Sequence, residues 1–132
     1  MSRVGHLATC TKDGRPHVVP FCFVFDGKLI YSSLDEKTKR VIPRDLRRVK
    51  NIIANPWVSL VVDLYSENWQ ELQYVIVHGV TGIVDKGNEH EYAIRLLREK
   101  YPQYLSMSLE ERPILRIKPS RIMAWMATSL AS

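Results

Sequence analysis

The chain has 132 residues, 45% of them hydrophobic and 25% charged, enough to bury a core in a single domain, residues 1–132, without staples. That balance excludes a disordered chain, and no apolar run is long enough to span a bilayer as a helix. The net charge is +5, yet Lys37 to Lys50 holds seven basic residues against one acid, Asp45, a local +6. The remainder of the chain therefore sums to −1. The basic character is one local patch, and a patch of this kind faces an anion. Cys10 and Cys22 lie in strand-like runs with no CxxC pair and read as buried reduced thiols. The start, MSRVGHLATC, enters a strand pattern with no charged-then-apolar leader, so the expected compartment is the cytoplasm.

Val4 to Thr11 reads as a short strand, followed by an Asp13-Gly14 turn. Pro16 opens a second strand running to Phe25. Pro20 inside it cannot donate to a ladder, which places it at an edge, a bulge or a break. Phe21, Phe23 and Phe25 alternate, as core residues of a strand do. Asp26-Gly27 is a second hairpin turn, and Lys28 to Ser33 a third strand.

The basic segment follows. Pro43 suits the first turn of a helix, with Ile42, Leu46, Val49 and Ile53 on an apolar face and Arg44, Arg47, Arg48 and Asn51 on another. Pro56 ends it, and Val58 to Leu64 reads as a buried strand. Ser66 to Glu71 is a polar loop containing Trp69. Gln73 to Asp85 is a long strand in which Gly79 and Gly82 mark a bulge or tight bend. Asn88 with Glu91 resembles a capping box, opening a helix to about Tyr101 with Tyr92, Leu96 and Tyr101 inward and Pro102 as its stop. Ser108 to Glu111 can form a single turn; Ile114 to Lys118 and Arg121 to Ala127 are the last strands, separated by Pro119-Ser120. Six or seven mostly antiparallel strands with two inserted helices predict a mainly β protein, a small closed or nearly closed barrel.

His6, His17, His78 and His90 show no metal-ligand spacing, and there is no G-x-S-x-G and no paired-carboxylate signature. A phosphate site fits better. Ser32, Ser33, Lys37, Thr38, Lys39 and Arg40 combine hydroxyls and cations in a loop leading to a helix. A solvated basic helix face explains the same charge run. A nucleic-acid module is disfavoured, because the charge is local and the strand aromatics follow core spacing.

The run LATCTKDGRPHVVPFCFVFDGKLIYSS, a lysine-rich loop, and NIIANPWVSLVVD together resemble the pyridoxamine 5′-phosphate oxidase-like family of FMN-binding split barrels. The stretch from Asp63 through Trp69 to Gly79 and the tail RIKPSRIMAWMA are similar to its deazaflavin-dependent (coenzyme F-420) subgroup. The resemblance implies a split β-barrel that forms a homodimer, with FMN or the deazaflavin coenzyme F-420 held in a groove at the interface. It implies that Val18, Val19, Pro20 and Phe21 line the ring, that Tyr31 and Ser32 sit beside it with Ser33, and that Lys39 and Arg40, or Lys37 in a shifted register, bind the phosphate. A family glutamine corresponds to Gln73. The longer basic and aromatic C-terminal portion of the oxidase proper has no counterpart, so another substrate is expected.

The implied activity is oxidoreduction of a small molecule, with no nucleic-acid or membrane partner. The alternative is a non-catalytic FMN-binding protein for storage or redox sensing. Arg44, Arg47 and Arg48 lie beyond the phosphate clamp and suit the longer anionic tail of the deazaflavin. Trp69 and Trp125 either border a substrate pocket or serve as core or dimer contacts.

Overall fold

The computed structural model describes residues 4–34 and 47–127, the side chains of 47 and 48 excepted. Lys37, Lys39 and Arg40 lie outside the described residues, as do Ile42, Pro43, Arg44, Leu46 and the side chains of Arg47 and Arg48. The elements are β1 (Gly5–Cys10), β2 (Pro16–Phe21), β3 (Val24–Phe25), β4 (Ile30–Ser33), α1 (Arg47–Ala54), β5 (Trp57–Leu64), β6 (Gln73–Val84), α2 (Asn88–Lys100) and β7 (Ile114–Met126). Short 3₁₀ turns occupy Trp69–Glu71, Pro102–Ser106 and Leu109–Glu111.

All seven strands belong to one antiparallel sheet of order β2-β1-β5-β6-β7-β4-β3. Its two edge strands are consecutive in sequence. Flat, seven strands would separate the edges by about 29 Å. The three peptide steps from Phe21 to Val24 reach at most ~11 Å. The sheet must therefore curl until its edges meet, which makes it a split barrel.

The run Pro16 to Phe25 expected as one strand breaks at Cys22-Phe23. Its first half pairs with β1 and its second with β4, so one extended run serves both edges. Pro20 sits in the edge strand, where its missing N–H costs no ladder bond. Conversely, the two strands expected after Ile114 are one, because Pro119-Ser120 forms a bulge instead of a break: the partners step from His78–Arg121 to Gly79–Pro119. The bulge reverses side-chain parity, so Leu115 and Ile117 enter the barrel before it, while Met123 and Trp125 fall on the outer face after it. Gly79 is needed there, because a Cβ would stand 2.6 Å from the Lys118 carbonyl oxygen.

The two core clusters occupy the two faces of this sheet. Leu7, Phe21, Phe23, Ile30, Val58, Leu60, Val77, Leu115 and Ile117 fill the interior, capped by Val49 and Ile52 of α1. Tyr31, Val84 and Ile114 on the outer face pack under Ala93, Ile94, Leu97 and Tyr101 of α2 and its following turns.

Several local expectations shift. Ile53 is 62% exposed and Ile52 is buried in its place, while Asn51, expected on the polar face, is buried and donates to Thr9 Oγ1 at 3.0 Å. The register of α1 against β1 decides this, and the helix is too short for periodicity to place its face. Gly87 holds the cap position of α2 without a side-chain bond, so the Asn88 capping box does not form. His90, Ala93, Ile94, Leu97 and Tyr101 are the residues buried there, with Tyr92 and Leu96 only half-buried. β4 starts at Ile30, because Asp26 turns the chain by accepting from the N–H groups of Lys28 and Leu29. Gly27 supplies the positive φ of 99°. β5 is buried on one face only, Phe25 is largely exposed, and both cysteines are half-buried free thiols.

Candidate functional site

The break at Cys22-Phe23 leaves a notch. The β3–β4 register aligns Val24 with Tyr31, and two further steps bring Cys22 opposite Ser33. The Ser32 hydroxyl donates to the Cys22 carbonyl at 2.7 Å across this junction. Beyond it, β2 runs on with β1 on one side and no described strand on the other. Alternate backbone N–H and C=O groups along Val18 to Phe21 are thus unclaimed by the ladder. In sequence, the basic segment follows β4, beginning outside the described residues.

The sequence-expected residues divide by position. Val18, 61% exposed, and Pro20 face outward, whereas Phe21 is buried and Val19 packs against the interior cluster. Ser33 is only 4% exposed, and its Oγ has no hydrogen-bond partner among the described residues. A buried hydroxyl left unpaired is costly, so this one is open to a polar partner from outside the described residues. Ser32 already spends its proton on Cys22, which leaves its oxygen able to accept only. Tyr31 is turned away from the notch under α2, where its hydroxyl donates to Glu89 Oε2 at 2.9 Å. Burial first, and the Glu89 carboxylate second, push that phenol well above its ordinary range, so it stays protonated. Arg116 Nη1 donates to Glu89 Oε1 at 2.8 Å, which ties β4, α2 and β7 together. Gln73 is not brought to Ser33 within one chain. Ser33 aligns through Ile114 with Val84, and Gln73 lies about 36 Å away along β6. Trp69, 70% exposed, and the stacked pair Tyr74–Trp125, centroids 5.5 Å apart, lie toward that far end too.

The outer face of the sheet is covered by α2 only around β4 and the start of β7. Among the described residues no helix covers the rest, which carries Val18, Pro20, Trp57, Val61, Ile76 and Met123 in register. Trp57 is 59% exposed. The same face holds a pair that the sequence reading missed: Ser59 Oγ lies 2.6 Å from His78 Nδ1. The two are 19 apart in sequence but opposite each other across β5 and β6, so only the strand register exposes them. A hydroxyl on one imidazole nitrogen leaves the other able to take or give a proton. Among the described residues no group of three His, Cys, Asp or Glu side chains could hold a metal ion, and no helix is long and apolar enough to cross a membrane.

Comparison with solved structures gives the same fold repeatedly. A conserved hypothetical protein of Mycobacterium tuberculosis is similar at a TM-score of 0.78 and 23% identity, over 99% of this chain and 81% of that one. A protein described as an F420 reductase is similar at 0.67 and 24%, over 92% and 90%. HutZ, the heme storage protein of Vibrio cholerae, is similar at 0.69 and 19%, over 95% and 86%. No curated protein matches in sequence. The family model described as pyridoxamine 5′-phosphate oxidase matches residues 1–126, nearly the whole chain, and the protein belongs to that family.

Proposed function

We propose that the protein is an oxidoreductase that binds FMN or the deazaflavin coenzyme in the notch beside β2 and acts on a small molecule. The observation that carries this reading is the buried Ser33 hydroxyl, without a partner among the described residues and beside an unclaimed strand edge; in sequence it shortly precedes the +6 segment. A hydroxyl donor, free backbone groups and cations are the donor set that an anionic ring cofactor requires.

In this reading Val18 and Pro20 lie against the ring and exclude water, while unclaimed backbone groups of Val18 to Phe21 bond its polar rim. Ser33 donates to the phosphate or the sugar chain, and Lys39 and Arg40, with Lys37, neutralise the phosphate. Arg44, Arg47 and Arg48 meet the longer tail of a deazaflavin. When bound, the group supplies a hydride donor and acceptor in its central ring. The Ser59–His78 pair is the candidate for moving a proton on the same outer face. Two copies pair through the outer face, as its exposed apolar register suits.

Titration of cofactor-free protein with FMN, and separately with the deazaflavin, by fluorescence is the test. Saturable binding of either supports the reading, and Lys39→Ala with Arg40→Ala must weaken it. Binding of neither sinks it. A carrier is the second reading, since the fold also serves a heme storage protein. Tight cofactor binding without turnover of any reductase substrate would favour it.

A further inference from the structure

We infer that Tyr101 and Lys100, at the end of α2, are positioning residues that set the path of the cofactor-lining strand β2; this rests on the functional reading above. At Cys22-Phe23 the ladder to β1 has ended and the ladder to β4 has not begun. Backbone groups at such a junction need other partners. Side chains provide them. The Phe23 N–H donates to Tyr101 Oη at 3.0 Å, and the same hydroxyl donates back to the Phe23 carbonyl at 3.0 Å. Lys100 Nζ donates to that carbonyl at 2.7 Å and sits 3.7 Å from the Phe23 ring centroid. With Ser32 on the Cys22 carbonyl, both residues of the break are clasped.

The clasp is buried and anchored. Phe23 and Tyr101 are 8% and 7% exposed. The Tyr101 N–H bonds the Leu97 carbonyl at 2.8 Å, which fixes the residue to the last turn of α2. From Phe23 the constraint passes directly to β2, because the Phe21 and Phe23 rings pack 5.5 Å apart. Without the clasp, the described contacts that hold the strand from Val18 to Phe21 are its ladder to β1 and the interior packing of Val19 and Phe21, and its end at the break is no longer fixed. A strand edge that must present backbone groups to a ring has to keep its place to a fraction of an ångström.

Tyr101→Phe keeps the ring and removes both hydroxyl bonds; Lys100→Met keeps the stem and removes the third. Arg98→Met is the control, since Arg98, also on α2, bonds the Tyr104 and Met107 carbonyls and the Glu110 carboxylate in the turns that follow the helix, and none of its bonds is to Phe23. Cofactor Kd is measured well below each melting temperature, together with amide exchange along β2 and β6. We expect about tenfold weaker binding in Tyr101→Phe, a smaller loss in Lys100→Met, and Kd within about twofold of the parent in Arg98→Met. Exchange at the Val18, Val19 and Phe21 amides should quicken in the first two while β6 is unchanged. Equal losses in all three variants, or unchanged Kd in Tyr101→Phe, would overturn the inference. If the parent protein binds neither cofactor, the functional reading falls and exchange alone decides: quickening confined to β2 upholds the clasp, and unchanged exchange overturns it.

Discussion

The buried contact between Asn51 and Thr9 joins the helix that ends the basic segment to the barrel, and its removal has a calculable cost. Both residues are 3% exposed, and the Asn51 amide donates to Thr9 Oγ1 at 3.0 Å. Asn51→Ala deletes a neutral hydrogen bond worth about 1 kcal/mol and leaves Thr9 Oγ1 without its donor, costing about 1–3 kcal/mol. The better helix propensity of alanine returns roughly half a kcal/mol. The net loss is about 2 kcal/mol. For 132 residues the entropy of unfolding is about 0.28 kcal/mol/K, so Tm falls by about 7 °C. The assay is a double-mutant cycle with Thr9→Val, read by urea denaturation. The double variant should be more stable than additivity allows by about 1 kcal/mol, because Thr9→Val removes the orphan left by Asn51→Ala. Additivity within about 0.3 kcal/mol would show that the pair is not coupled and refute the reasoning.

Further outcomes follow from other sites. Gly79→Ala should cost about 1–3 kcal/mol in urea denaturation, since its Cβ meets the Lys118 carbonyl oxygen; an unchanged midpoint would mean that the bulge yields freely. At Asp26 burial raises the carboxyl pKa, but the Leu29 and Lys28 N–H groups and the Tyr92 hydroxyl outweigh it and hold it low; the Arg98 bond lowers Glu110 as well. Both groups therefore contribute stability above the ordinary carboxylate range, about pH 4, which is lost as pH falls through their lowered values. Asp26→Asn with Glu110→Gln should flatten the acid limb of Tm against pH, and an acid limb like the parent's would refute this. Met123→Glu on the outer face should shift a dimer to monomer in sedimentation, and a dimer that persists would place the interface elsewhere. Arg44→Ala with Arg47→Ala should weaken the deazaflavin more than FMN in fluorescence titration; equal effects would remove the case for a bound anionic tail.

Much of the architecture is legible in the chain itself. Asp-Gly pairs mark two hairpin turns, the valine-rich run at Val58 marks a strand, and Gly79 marks the bulge. These signals are local, because a turn or a close backbone approach makes demands that only a few residue types meet. The crowding of positive charge between Lys37 and Lys50 is likewise present before any folding. The merging of the last two strands is not visible, because the bulge at Ser120 reverses the parity by which a strand is recognised. Neither is the burial of Asn51 in place of Ile53, which depends on which side of a short helix meets β1.

The sequence by itself determined the hairpin turns, the charge and most of the strand segments, though not where the run from Pro16 breaks or that the last two merge, because turns and charge are set by neighbours a few residues apart. Only the tertiary structure decided that one run from Pro16 to Phe25 would pair with both edges of a rolled sheet, leaving a notch at its break. It also decided that Ser59 meets His78, that Ser33 is buried without a partner among the described residues, and that Tyr101 closes on Phe23 across 78 residues. Those contacts arise from the order in which strands assemble, and loop closure over such distances leaves no periodicity in the chain to read.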